Sequence, residues 1–208
     1  MRIFAFLVLI IAWPLKSLAE TANNPLDTLS GTLAVYHQPY LVGGKLQGCQ
    51  IMFEHLMRDW VTRRGQFIRV DGSISLMYPA PQKLGATLKI VVNEIDLKTM
   101  NFKASAPTRA FLIDDDYSTT IQSIVSSTAS DTPGGLFSIY QVSPTFEIVL
   151  KAIQSNKLRV GFDRAGAETD IQALIELDVS ATDPDGSRHR TGQAGRDFAT
   201  CAQALIKR

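Results

Sequence analysis

Three histidines, two cysteines and a run of three aspartates are the residues whose types lend themselves to catalysis or metal binding. A histidine titrates near neutrality and serves as a general base or, through a ring nitrogen, as a metal ligand. Hydrolysis also needs a nucleophile, and the chain contains no G-x-S-x-G elbow and no S-x-x-K pair. A Ser-His-Asp set would have to be assembled by the fold. His37 lies between Tyr36 and Gln38, His55 follows Glu54 near a strand end, and His189 sits between Arg188 and Arg190. Each reads as an exposed or edge histidine, and no catalytic residue is assigned.

Metal and nucleotide signals are equally sparse. There is no H-E-x-x-H, no H-x-H and no C-x-x-C, the spacings that hold zinc. In an extended chain Asp114 and Asp116 point the same way, which makes them the candidate ligands for a hard cation, although adjacent aspartates at a strand end read first as a solvated loop. Asp183-Pro184-Asp185-Gly186 is β-turn chemistry rather than a calcium loop, because the distal glutamate is missing. Gly43-Gly44-Lys45 lacks the upstream glycine and following hydroxyl of a P-loop. No cofactor is implied.

Two arginine clusters remain. Arg58, Arg63, Arg64 and Arg69 lie around Trp60, and arginine beside an aromatic residue suits phosphate, sugar or an acidic protein face. Arg58, Trp60, Arg63 and Arg64 are the candidate patch for an anionic partner. Arg188, His189, Arg190 and Arg196 form the second cluster. Nucleic acid is not expected, since 21 basic residues are balanced by 20 acidic ones and the formal charge is only +1.

The elements that must position these residues show a period of two along most of the chain. Leu33 and Val35 alternate, Tyr36 to Gly48 reads as a loop, and Cys49, Ile51 and Phe53 share a face. Ile68, Val70, Ile74, Leu76 and Tyr78 form the clearest strand, followed by Leu88, Ile90 and Val92 and then by Met100, Phe102 and Ala104. Short apolar runs lie at 110–113 and 136–142. Ser143-Pro144 then predicts a helix start, with Phe146, Val149, Leu150 and Ile153 as its apolar stripe over 144–154. A hairpin follows, from Leu158 to Phe162 and from Ile171 to Val179. Phe198, Cys201, Ala202, Leu205 and Ile206 give a second amphipathic helix over 197–207, with Asp197 at its start. The expected fold is mainly β, a β-sandwich or open barrel with those two short helices, built as one domain over 28–208 behind a loose tail at 20–27.

The beginning of the chain carries an address. Arg2 precedes an apolar run from Ile3 to Trp13, Pro14 breaks it, and Ser17-Leu18-Ala19 ends in a small-x-small site before Glu20. These are the parts of a secretory signal, so residues 1–19 are expected to be cleaved between Ala19 and Glu20. The run is about half of the ~20 residues that span a bilayer, which disfavours an anchor. Cleavage removes Arg2 and Lys16 and leaves a chain of about 189 residues with a charge near −1. In the oxidising periplasm or outside the cell, Cys49 and Cys201 are expected to form one structural disulfide, too distant in sequence for redox work.

These features predict an exported binding or structural protein of the bacterial cell envelope, with another envelope protein or an anionic envelope ligand as partner. An exported hydrolase with an unrecognised site and a small-ligand carrier are the alternatives. The carrier needs an apolar cavity.

Overall fold

A computed structural model describes residues 24–80, 83–114, 119–164 and 167–207. The elements, in order, begin with a short helix α1 (Pro25–Leu29) and four long strands, β1 (Gly31–Val42), β2 (Lys45–Asp59), β3 (Gln66–Ala80) and β4 (Lys83–Asp96). Shorter strands follow: β5 (Asn101–Ala104), β6 (Ala110–Ile113), β7 (Ile124–Ala129) and β8 (Gly135–Tyr140). Helix α2 (Val142–Ser155) leads into β9 (Lys157–Phe162), β10 (Ile171–Glu176), β11 (Val179–Thr182) and β12 (Arg188–Arg190), and α3 (Gln193–Ile206) closes the described chain. The expected cleavage site between Ala19 and Glu20 lies outside the described residues.

The fold is mainly β, antiparallel and sandwich-like rather than a closed barrel. Seven strands form one sheet in the order β1-β2-β3-β4-β8-β7, with β5 added beside β4. The second layer is a three-stranded sheet, β10-β9-β6, together with α2 and α3. Alternation explains the register: Cys49, Ile51 and Phe53 on β2 face the core with Val70, Ile74 and Leu76 on β3 and Leu88, Ile90 and Val92 on β4. At Gly72 a Cβ would lie 2.3 Å from the Phe53 ring, so glycine makes room for the largest side chain of that row.

Several elements differ from the sequence expectation, each for a local reason. Tyr36 to Gly48 is a hairpin rather than a loop: β1 runs on to Val42, and the turn is Gly43-Gly44, both with positive φ as a two-residue hairpin turn requires. Its alternation is hidden because Tyr36, Tyr40, Leu41 and Val42 are all exposed there. Helix α2 begins at Val142 and places Pro144 in its first turn, with Gln141 rather than Ser143 as the cap. Its buried stripe is Thr145, Ile148, Val149 and Ala152, so Leu150 points outward. Helix α3 begins four residues before Asp197, after Gly192 at φ +60°, and Gly195 in its first turn lies close against Ile153 of α2. Part of the expected loose tail is ordered: α1 is capped by Asn24 and lays Leu26 and Leu29 over Leu56, Phe67 and Ile95. Among the described residues no helix is long and apolar enough to cross a membrane.

Candidate functional site

Cys49 on β2 and Cys201 on α3 form a disulfide, with Cα atoms 5.9 Å apart. It fastens the last helix to the central sheet.

Histidine takes three unrelated positions. His37 and His55 are on the face of the large sheet turned toward the second layer. His55 is buried, and its Nδ1 has no hydrogen-bonding partner among the described residues. Burial pushes its pKa down to about 4, with Arg188 adding to the fall and Glu176 opposing it. The sign of the linkage is therefore fixed. Above about pH 6.5 His55 is neutral folded or unfolded, whereas between pH 6.5 and 4 the unfolded chain takes up a proton that the folded chain refuses. Stability falls through that window, by about 3 kcal/mol at its lower end. Urea midpoints at pH 7.5 and pH 5 are expected to differ less in His55→Leu than in wild type; an equal difference would remove His55 from the account. His189 is exposed, with Nε2 2.8 Å from Asp183 in the turn ending at Gly186.

The carboxylates expected to bind a cation are placed otherwise. Asp114 is buried at the end of β6 and pairs with Lys151 of α2 at 3.1 Å, so it is not a solvated loop residue. Asp116 lies outside the described residues, and no group of three His, Cys, Asp or Glu suited to a metal occurs among the described ones. The second arginine cluster is structural. Arg188 donates to the carbonyls of Ser30 and Thr32, and Arg190 pairs with Glu176 and Asp178, which pins the β11–β12 hairpin beside β1.

A depression of about 470 Å³ opens on the outer face of the large sheet, lined by Tyr36, Glu54, Arg69, Asp71, Lys89 and Asn93 among others. Its charges are satisfied from within: Arg69 pairs with Glu54 and Asp71, and Lys89 with Asp131. Met52, Phe53, Val91 and Pro133 contribute apolar surface to it beside these paired charges.

The first arginine cluster occupies one end of that sheet, at the β2–β3 turn. Arg58 is already engaged: it makes a two-bond pair with Asp27 of α1, donates to the Gly65 carbonyl at 2.8 Å and stacks 4.0 Å over Phe67. Trp60 is 70% exposed, yet its indole rests on Gly65, where a Cβ would come within 2.5 Å. Arg63 and Arg64 extend from the same turn. Asp59 anchors the turn from below, accepting from the Thr62 backbone at 2.7 Å and from the Thr62 hydroxyl. Burial raises the pKa of Asp59, but the bonds from Thr62 and Arg164 outweigh it and keep the carboxylate ionised below its usual range.

Beneath the exposed turn lies a buried ionic cluster. Arg164 donates to Asp59 at 2.8 Å, to Glu94 and to the Ser105 hydroxyl, and all three charged side chains are buried. Arg63 approaches Glu94 at 3.5 Å from outside. The cluster joins the ends of β2 and β4 to the segment after β9.

Because it fixes the end of β4, the cluster also sets the next turn. The β4–β5 hairpin projects from the same end of the sheet, since Glu94 of β4 lies opposite Ile68 at the start of β3. Leu97, Met100 and Phe102 are exposed on it, the last two at 57%, beside Lys98 and Lys103. The sequence reading placed Met100, Phe102 and Ala104 on a strand face, whereas all four residues of β5 are exposed. These residues escaped notice because alternation signals a strand without saying which side is covered. The one cue was the pair of lysines interleaved with them. Together the two tips, 60–65 and 97–103, carry Trp60, Val61, Leu97, Met100 and Phe102 with Arg63, Arg64, Lys98 and Lys103, and no carboxylate. Asp96 lies at the base beside Lys98, its carboxylate accepting from the Lys98 backbone at 2.9 Å.

The chain matches no protein-family model, no curated protein and no solved structure.

Proposed function

We propose that the protein is an exported binding protein of the bacterial cell envelope that docks through the basic, aromatic end of its large sheet onto an anionic partner. The observation that carries this reading is the pair of neighbouring tips, where large apolar side chains and cations are exposed together while the nearest carboxylates, Glu94 and Asp96, lie at the base. Isolated surface hydrophobes are ordinary, but a cluster ringed by charge marks an interaction site. Export is supported by the leader ending at Ala19-Glu20 and by a disulfide that an oxidising compartment maintains. Periplasm and cell exterior both fit.

Retention on envelope fragments tests the reading. The chain starting at Glu20 keeps every described element, since the described fold begins at Asn24. It is expected to sediment with washed fragments at low salt and to be released as salt screens the contact. Arg64→Glu with Lys103→Glu should abolish retention. The matched reversal at the other end of the sheet, Lys45→Glu with Lys83→Glu, should leave it intact. Equal retention of both double variants would sink the proposal.

A further inference from the structure

The geometry points to a lipid partner: we propose that the β2–β3 and β4–β5 tips seat on an anionic phospholipid surface. Trp60, Val61, Leu97, Met100 and Phe102 enter the headgroup region, while Arg63, Arg64, Lys98 and Lys103 meet the phosphates. The proposal rests on the docking reading above and names its partner.

Three observations bear on this surface and on its partner. The first is composition. Protein interfaces are depleted in lysine, whereas a membrane boundary favours tryptophan at headgroup depth with lysine and arginine beside it. The two tips carry that mixture only together, Trp60 with Arg63 and Arg64 on one and Lys98 and Lys103 around Met100 and Phe102 on the other.

The second is backbone strain. Arg64 has φ +51° and Met100 φ +54°, left-handed positions that glycine or asparagine fills at lower cost. Each tip therefore holds a strained residue whose large side chain is a cation in one case and an exposed apolar group in the other. Strain retained at an exposed turn points to use of the side chain.

The third is where the chain enters. Asn24 caps α1, and Asp27 of α1 pairs with Arg58 beside the Trp60 tip. Only ten residues separate Asn24 from the apolar run that ends at Trp13, a reach of at most about 35 Å. A precursor whose apolar run is still in the membrane is thus tethered through the end of the domain that carries these tips.

The experiment uses the chain from Glu20 with two kinds of vesicle, phosphatidylcholine alone and phosphatidylcholine with phosphatidylglycerol in equal parts. Sedimentation is expected with the anionic vesicles, weakening as salt rises. Arg64→Ala with Lys103→Ala should lower the affinity about thirtyfold, and Trp60→Ala at least about tenfold. Met100→Asn separates function from folding: its unfolding midpoint should equal or exceed that of wild type while vesicle affinity falls. Failure to bind anionic vesicles, or equal binding by wild type and all three variants, overturns the lipid proposal. Should vesicles fail while Arg64→Glu with Lys103→Glu still abolishes envelope retention, the partner is a protein or polysaccharide and only the lipid assignment falls. Should the charge reversals leave envelope retention unchanged as well, the docking reading falls with it.

Discussion

Arg164→Met is expected to lower the free energy of unfolding by about 3–5 kcal/mol, because it leaves Asp59 buried without its counter-charge and Glu94 with only the more distant Arg63. Arg164 is 3% exposed and Asp59 fully buried, so water cannot take over the solvation of the stranded carboxylate. The net worth of the intact cluster is a separate quantity. Desolvating the three charges cost much of what their attraction returns, and a well-packed apolar replacement of all three is expected to cost far less than removal of Arg164 alone. Chemical denaturation of the single and triple variants measures both. A loss under about 1 kcal/mol for Arg164→Met would mean that the cluster does not brace the tips, since Asp59 also anchors the turn that presents Trp60.

Loss of the Cys49–Cys201 bridge is the second large effect, about 2–5 kcal/mol for Cys49→Ala with Cys201→Ala. The bond spans 152 residues, and a loop of that length removes much freedom from the unfolded chain. Cys49 is also fully buried against the core, so alanine there adds a small packing defect. Reduction of the wild-type protein keeps both sulfur atoms and isolates the cross-link. A reduced protein with an unchanged unfolding midpoint would leave α3 held by Phe198, Ala202 and Leu205 alone.

Strands with one covered face were legible in the sequence, because alternation over Cys49 to Phe53, Ile68 to Tyr78 and Leu88 to Val92 reports burial directly. The Cys49–Cys201 pairing followed from two cysteines in a chain whose leader-like beginning implied an oxidising compartment. The β1–β2 hairpin was obscured where both faces meet solvent, from Tyr36 to Val42, for there a strand no longer alternates. Helix ends differed from the expectation, and contacts such as Gly195 against Ile153 carry no local signal. Half of the candidate site was visible as arginines around Trp60. The other half was not, because only the pairing of β4 with β3 and β5 brings Leu97 to Lys103 alongside them. The buried partners of Arg164 are separated from it by 105 and 70 residues, beyond any spacing rule.

The central claim, that the Trp60 end is the docking surface, is tested most directly by Trp60 itself. The sequence holds two tryptophans, Trp13 and Trp60, so a chain starting at Glu20 has Trp60 as its single indole reporter. Titrated with envelope fragments, its emission is expected to shift to shorter wavelength and to become shielded from acrylamide as the protein binds. Binding that leaves both the emission and the quenching of Trp60 unchanged would place the contact elsewhere and contradict the account.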